Sequence, residues 1–247
     1  MFTPEERDRL RSELLEFAKS DRRISGAAIT GSAAGGHEDR WSDIDLAFGV
    51  NDQAEVPNVL SDWTTLMYDR YDALHHVDVK AGAWIYRVFL LASTLQVDLA
   101  FVDVTEFRAL AESFRLVFGS SNAPRPALPP VSGDIIGMAW LYALHARSSI
   151  ARGKLWQAEY MISGVRDHAL ALACVRHGLP SIHGRGIDQL PDGVTGPFKN
   201  SLVRQLDIVE LARAFRAVVE GLLGEIQSTD GDLVNKLQKT LHELTNL

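Results

Sequence analysis

Two aspartates separated by one residue are the most informative feature of this 247-residue sequence. Asp43 and Asp45 belong to the stretch Ser42-Asp43-Ile44-Asp45-Leu46, which continues as an apolar run to Val50. Residues two apart on a strand point to the same face, so both carboxylates would lie about 6–7 Å apart on one face. Such a pair can share divalent cations that bridge phosphate oxygens, and Mg²⁺ suits this arrangement. The pair predicts metal-assisted chemistry on a phosphate compound.

A Gly-Ser turn precedes this pair. Gly31-Ser32 follows a predicted strand, comes ten residues before Ser42, and is followed by small residues that can open a helix. Backbone N–H groups at such a turn form an anion site, Ser32 adds a hydroxyl donor, and glycine lets a phosphate approach the backbone closely. Asp-x-Asp pairs alone are common on exposed strands, so the combination of turn and pair carries the prediction.

The two motifs together resemble the DNA polymerase β-like nucleotidyltransferase superfamily. Its pattern is Gly-Ser, a helix-opening stretch, and then Ser-Asp-hydrophobic-Asp-hydrophobic. The resemblance implies that an acceptor hydroxyl attacks the α-phosphate of an NTP and that pyrophosphate leaves, with Mg²⁺ as cofactor and ATP as the default donor. It also implies phosphate contacts from the turn. The positions in register are Gly31, Ser32, Gly36, Ser42, Asp43, Ile44, Asp45 and Leu46.

One departure from the family pattern concerns the triphosphate. Antibiotic-modifying members often carry arginine immediately before the second glycine of the turn, where this chain has Gly35. The triphosphate contact is either missing or supplied elsewhere; Arg40 is the cofactor-binding candidate to replace it, and Lys80 and Arg87 are further stand-ins.

The family also requires a third carboxylate on a neighbouring strand, and Asp98 fits best. It interrupts the apolar run Leu95–Val102, where a charge is costly unless it is paired or bound to metal. Asp98 would complete the metal site with Asp43 and Asp45, or take the proton of the acceptor as a general base. Asp78 is the rival, whereas Asp103 reads as a surface residue at a strand end.

The predicted elements that position these residues form two domains. We expect an α/β (α+β) nucleotidyltransferase domain with a small mixed sheet over residues 1–120 and a Pro-rich connector over 121–133. An all-α helical bundle, the predicted acceptor-binding domain, covers 134–247. Predicted helices are 4–19, 56–74, 134–152, 155–177, 201–226 and 231–246, and predicted strands are 27–30, 44–50, 84–91 and 95–102.

Two residues of the predicted bundle are candidates for binding the acceptor. Glu159 and Arg166 lie on one stripe of a helix that is rich in polar groups. Glu159 could accept from a cationic acceptor or act as base, and Arg166 could contact phosphate; intrahelical ion pairs on a solvated face are the alternative. In texture and order this half also resembles bacterial aminoglycoside and lincosamide nucleotidyltransferases, without a motif matched residue by residue.

The composition of the chain limits the kinds of molecule that it is expected to bind. The net charge of −7 and the absence of a Lys/Arg run disfavour nucleic acid, and fit a small or cationic acceptor. A single cysteine, Cys174, excludes an internal disulfide. With neither a signal peptide nor an apolar run long enough to span a membrane, we expect a cytoplasmic protein without membrane partners. The oligomeric state stays open, and a homodimer is compatible with the sequence.

Two other function classes remain open. The first domain could be an antitoxin-like or nucleotide-binding partner that recognises another protein, although three intact carboxylates argue against an inactive site. Alternatively, the protein could transfer AMP to protein side chains instead of to a small molecule.

Overall fold

The chain folds into two compact units. The computed structural model describes residues 1–126 and 128–247; Ala127, which belongs to the predicted connector, lies outside the described residues. The units are Met1–Ala127 and Leu128–Leu247. The first contains a mixed sheet with helices and the second is helical, so the predicted fold class is confirmed.

The sheet of the first unit has six strands in the order β3-β4-β5-β2-β1-β6. β2 and β5 are parallel, whereas the other neighbouring pairs are antiparallel. The strands are β1 (Ile24–Thr30), β2 (Ile44–Val50), β3 (Ala73–Ala81), β4 (Trp84–Leu91), β5 (Gln96–Asp103) and β6 (Phe114–Phe118), and the helices are α1 (Pro4–Ser20), α2 (Gly31–Ala34) and α3 (Val56–Tyr71).

One face of the sheet carries the main core of this unit. α1 begins at a capping box formed by Thr3 and Glu6, with Pro4 in its first turn. α1 and α3 share a buried cluster with the sheet, in which the Trp63 ring packs 4.7 Å from that of Phe48. Because both helices cover this face, the opposite face, which carries a smaller apolar cluster, is available for a site.

The sequence missed two strands. β3 was absent from the prediction because most of its side chains are exposed and show no alternation of buried and exposed positions. The helix predicted to reach Leu74 ends at Tyr71, since Asp72 adopts a left-handed conformation (φ 53°) that starts the turn into β3. The five-residue β6 was also missed, because such a short edge strand has little periodicity.

The second unit consists of helices that pack around one buried cluster. α4 packs on α5, α5 on α7, and α7 on α8. Within residues 1–126 and 128–247, no helix is both long and apolar enough to cross a membrane. The helices are α4 (Ser132–Ala151), α5 (Leu155–Arg176), α6 (Asp192–Lys199), α7 (Ile208–Thr229) and α8 (Gly231–Leu244).

The predicted helix over 201–226 was wrong in its first turns. α7 begins only after Asp207, whose side chain accepts from the backbone N–H of Glu210. The preceding segment is held in a non-helical path by Arg213, which donates to the carbonyl oxygens of Asn200 and Leu202. These long-range bonds are not visible in sequence periodicity.

Candidate functional site

The three predicted carboxylates lie on one face of two adjacent strands. Asp45 on β2 is opposite Asp98 on β5 in the parallel register. Asp43 precedes Asp45 by two residues, and Gln96 precedes Asp98 by two, so all four side chains share this face. The amide Nε2 of Gln96 donates to Oδ2 of Asp43 at 3.0 Å. The fold thus brings Asp98 beside the two aspartates of the motif.

Asp98 is the electrostatically strained member of this group. Its Oδ1 is buried and has no hydrogen-bond partner among the described residues. Burial, followed by repulsion from Asp43, raises the pKa of Asp98 to about 6. Burial, and then the charge of Asp98, likewise raises the pKa of the Tyr86 hydroxyl. A buried carboxylate without a donor is expected where a cation completes the site.

The Gly31 turn lies directly against the second aspartate. α2 begins at Gly31, which has a φ of +62°. A Cβ added there would collide with the Asp45 carboxylate and lie 2.7 Å from its Cγ. Glycine is therefore required twice, by conformation and by space. This contact places the turn and the carboxylates beside one another.

We expect Gly31→Ala to destabilise the first unit by about 2–4 kcal/mol, since the left-handed backbone costs roughly 1 kcal/mol and the overlap with Asp45 adds to it. Gly36→Ala is the matched control, because Gly36 also has a positive φ (+70°) but an added Cβ meets no described atom within 4 Å. Urea unfolding of the two variants measures the difference. Equal losses would contradict a close contact between the turn and Asp45.

A buried arginine of α1 holds the loop that leads into the first aspartate. Arg7 is 4% exposed. Its Nη1 donates to the carbonyl oxygens of Asp39 (2.6 Å) and Ser42 (3.3 Å), and its Nε lies 3.4 Å from Glu38 Oε1. The Glu38 carboxylate also accepts from Arg11 at 2.5 Å. The backbone immediately before Asp43 is thereby fixed to the helix.

Removal of this anchor should be costly, because Arg7→Ala takes a buried guanidinium donor from the carbonyl oxygens of Asp39 and Ser42 and leaves Glu38 with Arg11 alone as its cation. We expect a loss of about 2–4 kcal/mol in the free energy of unfolding. The control is Arg9→Ala, which removes an exposed arginine of the same helix. Chemical denaturation, with amide exchange of residues 37–42, tests this; equal behaviour of the two variants would refute it.

The residues predicted to contact phosphate differ in their exposure and in the bonds that they make within the protein. Ser42 Oγ donates to Asp39 Oδ1 (3.1 Å) and accepts from the Asp39 N–H (2.9 Å), so this hydroxyl closes the loop. Arg40 is exposed and its guanidinium lies 4.3 Å from the centre of the Trp41 ring. Ser32 is half-buried in α2 beside Gly31. Phosphate binding by Gly31, Ser32, Ser42 and Arg40 stays a prediction.

The alternative residues lie on the other face of the sheet. Arg87 is opposite Leu99, and its guanidinium donates to both oxygens of Asp78 and to Thr64 on α3. Asp78, the rival third carboxylate, is thus paired with Arg87 away from Asp98, and its pKa is lowered by this hydrogen bond. The prediction of Arg87 as a phosphate contact beside the carboxylates was wrong. Arg87 lies opposite Leu99, and the neighbouring residues Leu99 and Asp98 point to opposite faces of the sheet.

Two remaining candidates on strands are peripheral. Lys80 is exposed on β3, at the edge of the sheet. Asp103 accepts from the backbone N–H and hydroxyl of Thr105, which lowers its pKa and caps the turn after β5. Asp103 is therefore a strand-end residue, as expected.

In the second unit, Glu159 and Arg166 are linked through a serine. Ser163 Oγ donates to Glu159 Oε1 (2.7 Å) and accepts from Arg166 Nη2 (2.9 Å). Arg166 also donates to the carbonyl oxygen of Ser201, a fully buried residue, at 3.3 Å. These bonds give both side chains a local structural task, and their contact with an acceptor stays a prediction.

The carboxylates of this face are the candidate ligands for a metal ion. Within the part of the chain that the structure describes, no group of three or more His, Cys, Asp or Glu side chains is close enough to hold an ion by itself. Mg²⁺ in phosphoryl-transfer sites is bound by one or two carboxylates together with substrate phosphates and water. The unpartnered Oδ1 of Asp98 fits a cation-binding group.

Sequence reasoning overlooked two positions that had detectable signals. Gln96 stands two residues before Asp98, as Asp43 does before Asp45, so strand alternation alone places it on the carboxylate face. Arg7 lies on the buried stripe of α1 with Leu14 and Ala18. A charged residue at such spacing indicates a buried partner.

Comparison with known proteins gives structural likenesses only. No family model and no curated protein matches the chain. Solved structures similar to it include an aminoglycoside 6-adenyltransferase from Bacillus subtilis (12% identity, TM-score 0.44, all of both chains covered). They also include the polymerase core of TRAMP, an RNA surveillance complex (13% identity, TM-score 0.31, 90% of this chain and 58% of that chain).

Proposed function

We propose that this protein is a Mg²⁺-dependent nucleotidyltransferase that moves a nucleoside monophosphate, with ATP as the default donor, to a hydroxyl group of a small molecule. The observation that carries the proposal is the shared sheet face of Asp43, Asp45 and Asp98 directly beside the Gly31 turn. A carboxylate group and an anion-binding turn in contact are what a reaction between a metal-bound triphosphate and a hydroxyl needs.

The triphosphate would occupy the turn side of this site. The backbone N–H groups that begin at Gly31 and the Ser32 hydroxyl would bind the β- and γ-phosphates. Mg²⁺, held by Asp43 and Asp45 together with the phosphate oxygens, would supply positive charge that neutralises these oxygens. Asp98 would either complete this ligand set or stay unliganded and act as the base. Gln96 supports this arrangement because its hydrogen bond orients the Asp43 carboxylate.

Asp98 is suited to accept the proton of the attacking hydroxyl. Where it is not bound to Mg²⁺, a carboxylate with a pKa of about 6 is ionised at neutral pH, yet is more basic than an ordinary aspartate. In the reaction, the acceptor oxygen forms a bond to the α-phosphorus and the bond from that phosphorus to the bridging oxygen breaks. The acceptor proton passes to Asp98, and pyrophosphate leaves.

The first acceptors to examine are aminoglycosides and lincosamides. The net charge of −7 is compatible with cationic substrates, and the site lacks the basic run that binding of nucleic acid requires. We place the reaction in the cytoplasm, where ATP and Mg²⁺ are available. A role in antibiotic resistance would follow if an antibiotic is the acceptor.

Mass spectrometry of an acceptor panel tests the proposal. The protein is incubated with aminoglycosides and lincosamides, Mg²⁺ and each NTP in turn, with Asp43→Asn as control. A mass gain of one nucleoside monophosphate on a compound, lost in the variant, would identify donor and acceptor together.

Two other outcomes discriminate between the remaining classes. Pyrophosphate release without a modified antibiotic would retain the transferase chemistry, and labelling of a cell lysate with radioactive ATP would then test AMP transfer to proteins. If the protein neither binds NTP nor releases pyrophosphate, the nucleotidyltransferase proposal is wrong. A stable complex with a co-purified protein would then favour an antitoxin-like partner.

A further inference from the structure

A cavity of about 130 Å³ lies on the carboxylate face, one row of side chains further along the strands. Ala47 and Ala100 form its floor; they lie opposite each other in the register, two residues beyond Asp45 and Asp98. Ala28 on β1 is opposite Ala47 and continues this row. Because alanine side chains are short, the row beside the carboxylates leaves space above the sheet.

Aromatic residues form the walls of this cavity. Trp84 and Tyr86 on β4 have nearly parallel rings (26°) with centroids 6.0 Å apart, and Phe114 and Leu110 also line the space. Phe107 is fully buried in the apolar cluster on this face. Its ring covers β1 and β2 at Gly26 and Gly49. An apolar cavity of roughly 150 Å³ accommodates benzene. This cavity can therefore hold one six-membered ring.

Polar groups occur at a few positions around the ring-sized space. Arg108 and Thr30 line it together with the hydroxyl-bearing Tyr86. The Arg108 guanidinium is fixed by a hydrogen bond of 2.6 Å to the carbonyl oxygen of Thr105 and lies 3.5 Å from Glu106. Apolar walls with a few fixed polar groups are typical of a small-molecule site, and transfer of a charged ring from water into such walls is costly.

The Gly31 turn and most of the cavity lie on opposite sides of Asp45 along the strands. β1 runs antiparallel to β2, with Ile29 opposite Leu46, so the chain reaches Gly31 on the Asp43 side of Asp45. The cavity extends from Thr30, which is level with Asp45, toward the Ala47 side. In an in-line displacement the attacking and leaving oxygens are on opposite sides of the phosphorus. With pyrophosphate at the turn, the acceptor would approach from the cavity.

We propose that this cavity binds the ring of the acceptor that carries or adjoins the reactive hydroxyl, and that this ring is uncharged. The inference rests on the proposed function, and it narrows the acceptor to hydroxylated compounds with a neutral ring able to pack on Trp84 and Tyr86. Any amines of the acceptor would lie outside the cavity.

Binding of a neutral probe tests the site while the acceptor itself is still unidentified. We would measure phenyl β-D-glucopyranoside by saturation-transfer NMR, and ATP with Mg²⁺ by calorimetry, on the same full-length protein. Ala100→Val fills the floor, and Ala83→Val, at an exposed position before β4, is the matched control. We expect probe affinity to fall at least about tenfold in Ala100→Val, with ATP affinity within about twofold.

Two further comparisons control for misfolding of Ala100→Val and test whether the cavity prefers an uncharged ring. Leu110→Trp fills the cavity from the segment between β5 and β6 and leaves β5 itself unchanged. This variant should lower probe affinity to a similar extent. The 2-amino-2-deoxy analogue of the probe, which is cationic, should bind more weakly than the neutral probe, because its charge would have to leave water for apolar walls.

The outcomes separate this inference from the transferase proposal. Lack of probe binding by the wild-type protein, or equal binding in Ala100→Val, Leu110→Trp and Ala83→Val, would overturn the ring site, even if nucleotide transfer is found. Probe binding that both filling variants abolish, in a protein that transfers nucleotide to no acceptor, would support the ring as ligand and refute the transferase.

Discussion

Asp43→Asn and Asp45→Asn are each expected to lower nucleotide transfer by at least about 10³-fold while the protein stays folded. Each substitution preserves the size of the side chain but removes one negative charge from the face that would hold Mg²⁺. Asp43 is half-buried immediately before β2 and its oxygen accepts from Gln96, a bond that an asparagine oxygen can still make. The fold therefore loses little.

The measurement is kcat for pyrophosphate release over a range of Mg²⁺ concentrations, with circular dichroism to confirm folding. Asp69→Asn, an exposed carboxylate on α3 in the layer that covers the opposite face, is the matched control and should retain full activity. Excess Mg²⁺ should not restore either site variant. Activity of either at the wild-type level would remove the basis of the proposed mechanism.

The carboxylate site was predictable to the extent that strand alternation reveals it. Ile44–Val50 was predicted with the bounds that the structure shows, because its alternation is clear and the preceding loop is polar. Asp98 could be preferred to Asp78 because it interrupts an otherwise apolar strand, whereas Asp78 lies in an exposed one. Both inferences use local information only.

What the sequence could not supply was the pairing between distant segments. The register that brings Asp98 opposite Asp45 joins residues 53 positions apart, and no local pattern encodes it. The missing register also explains the wrong prediction for Arg87. Whether Arg87 shares a face with Asp98 depends on the β4–β5 register, which directs Arg87 toward α3. The alanine row and its aromatic walls likewise come from five different strands.

Asp98→Asn should abolish transfer and yet stabilise the metal-free protein at neutral pH. The pKa of Asp98 is about 6 in the folded protein, against 3.8 for an ordinary aspartate. Between these values the folded state binds more protons than the unfolded state, so stability falls as the pH rises. The cost is fully present above about pH 6 and disappears below about pH 4.

Asparagine, which is neutral, should relieve this cost by on the order of 2 kcal/mol at pH 7.5, because the side chain is only partly buried. Urea denaturation with a chelator present at pH 7.5 and pH 4.5 measures the difference, which should shrink at the lower pH. Mg²⁺ should stabilise the wild-type protein more than the variant, since a cation that binds the folded site adds to its stability.

Asp43→Asn provides an internal check on the cause, because repulsion from Asp43 is the second contribution to the raised pKa and burial is the first. That variant should lower the pKa of Asp98 and give a smaller gain in stability than Asp98→Asn. A variant Asp98→Asn that is no more stable than wild type at pH 7.5 would mean that the carboxylate finds compensation without a metal. An unpartnered acid that costs stability and is needed for turnover indicates a side chain retained for chemistry rather than for folding.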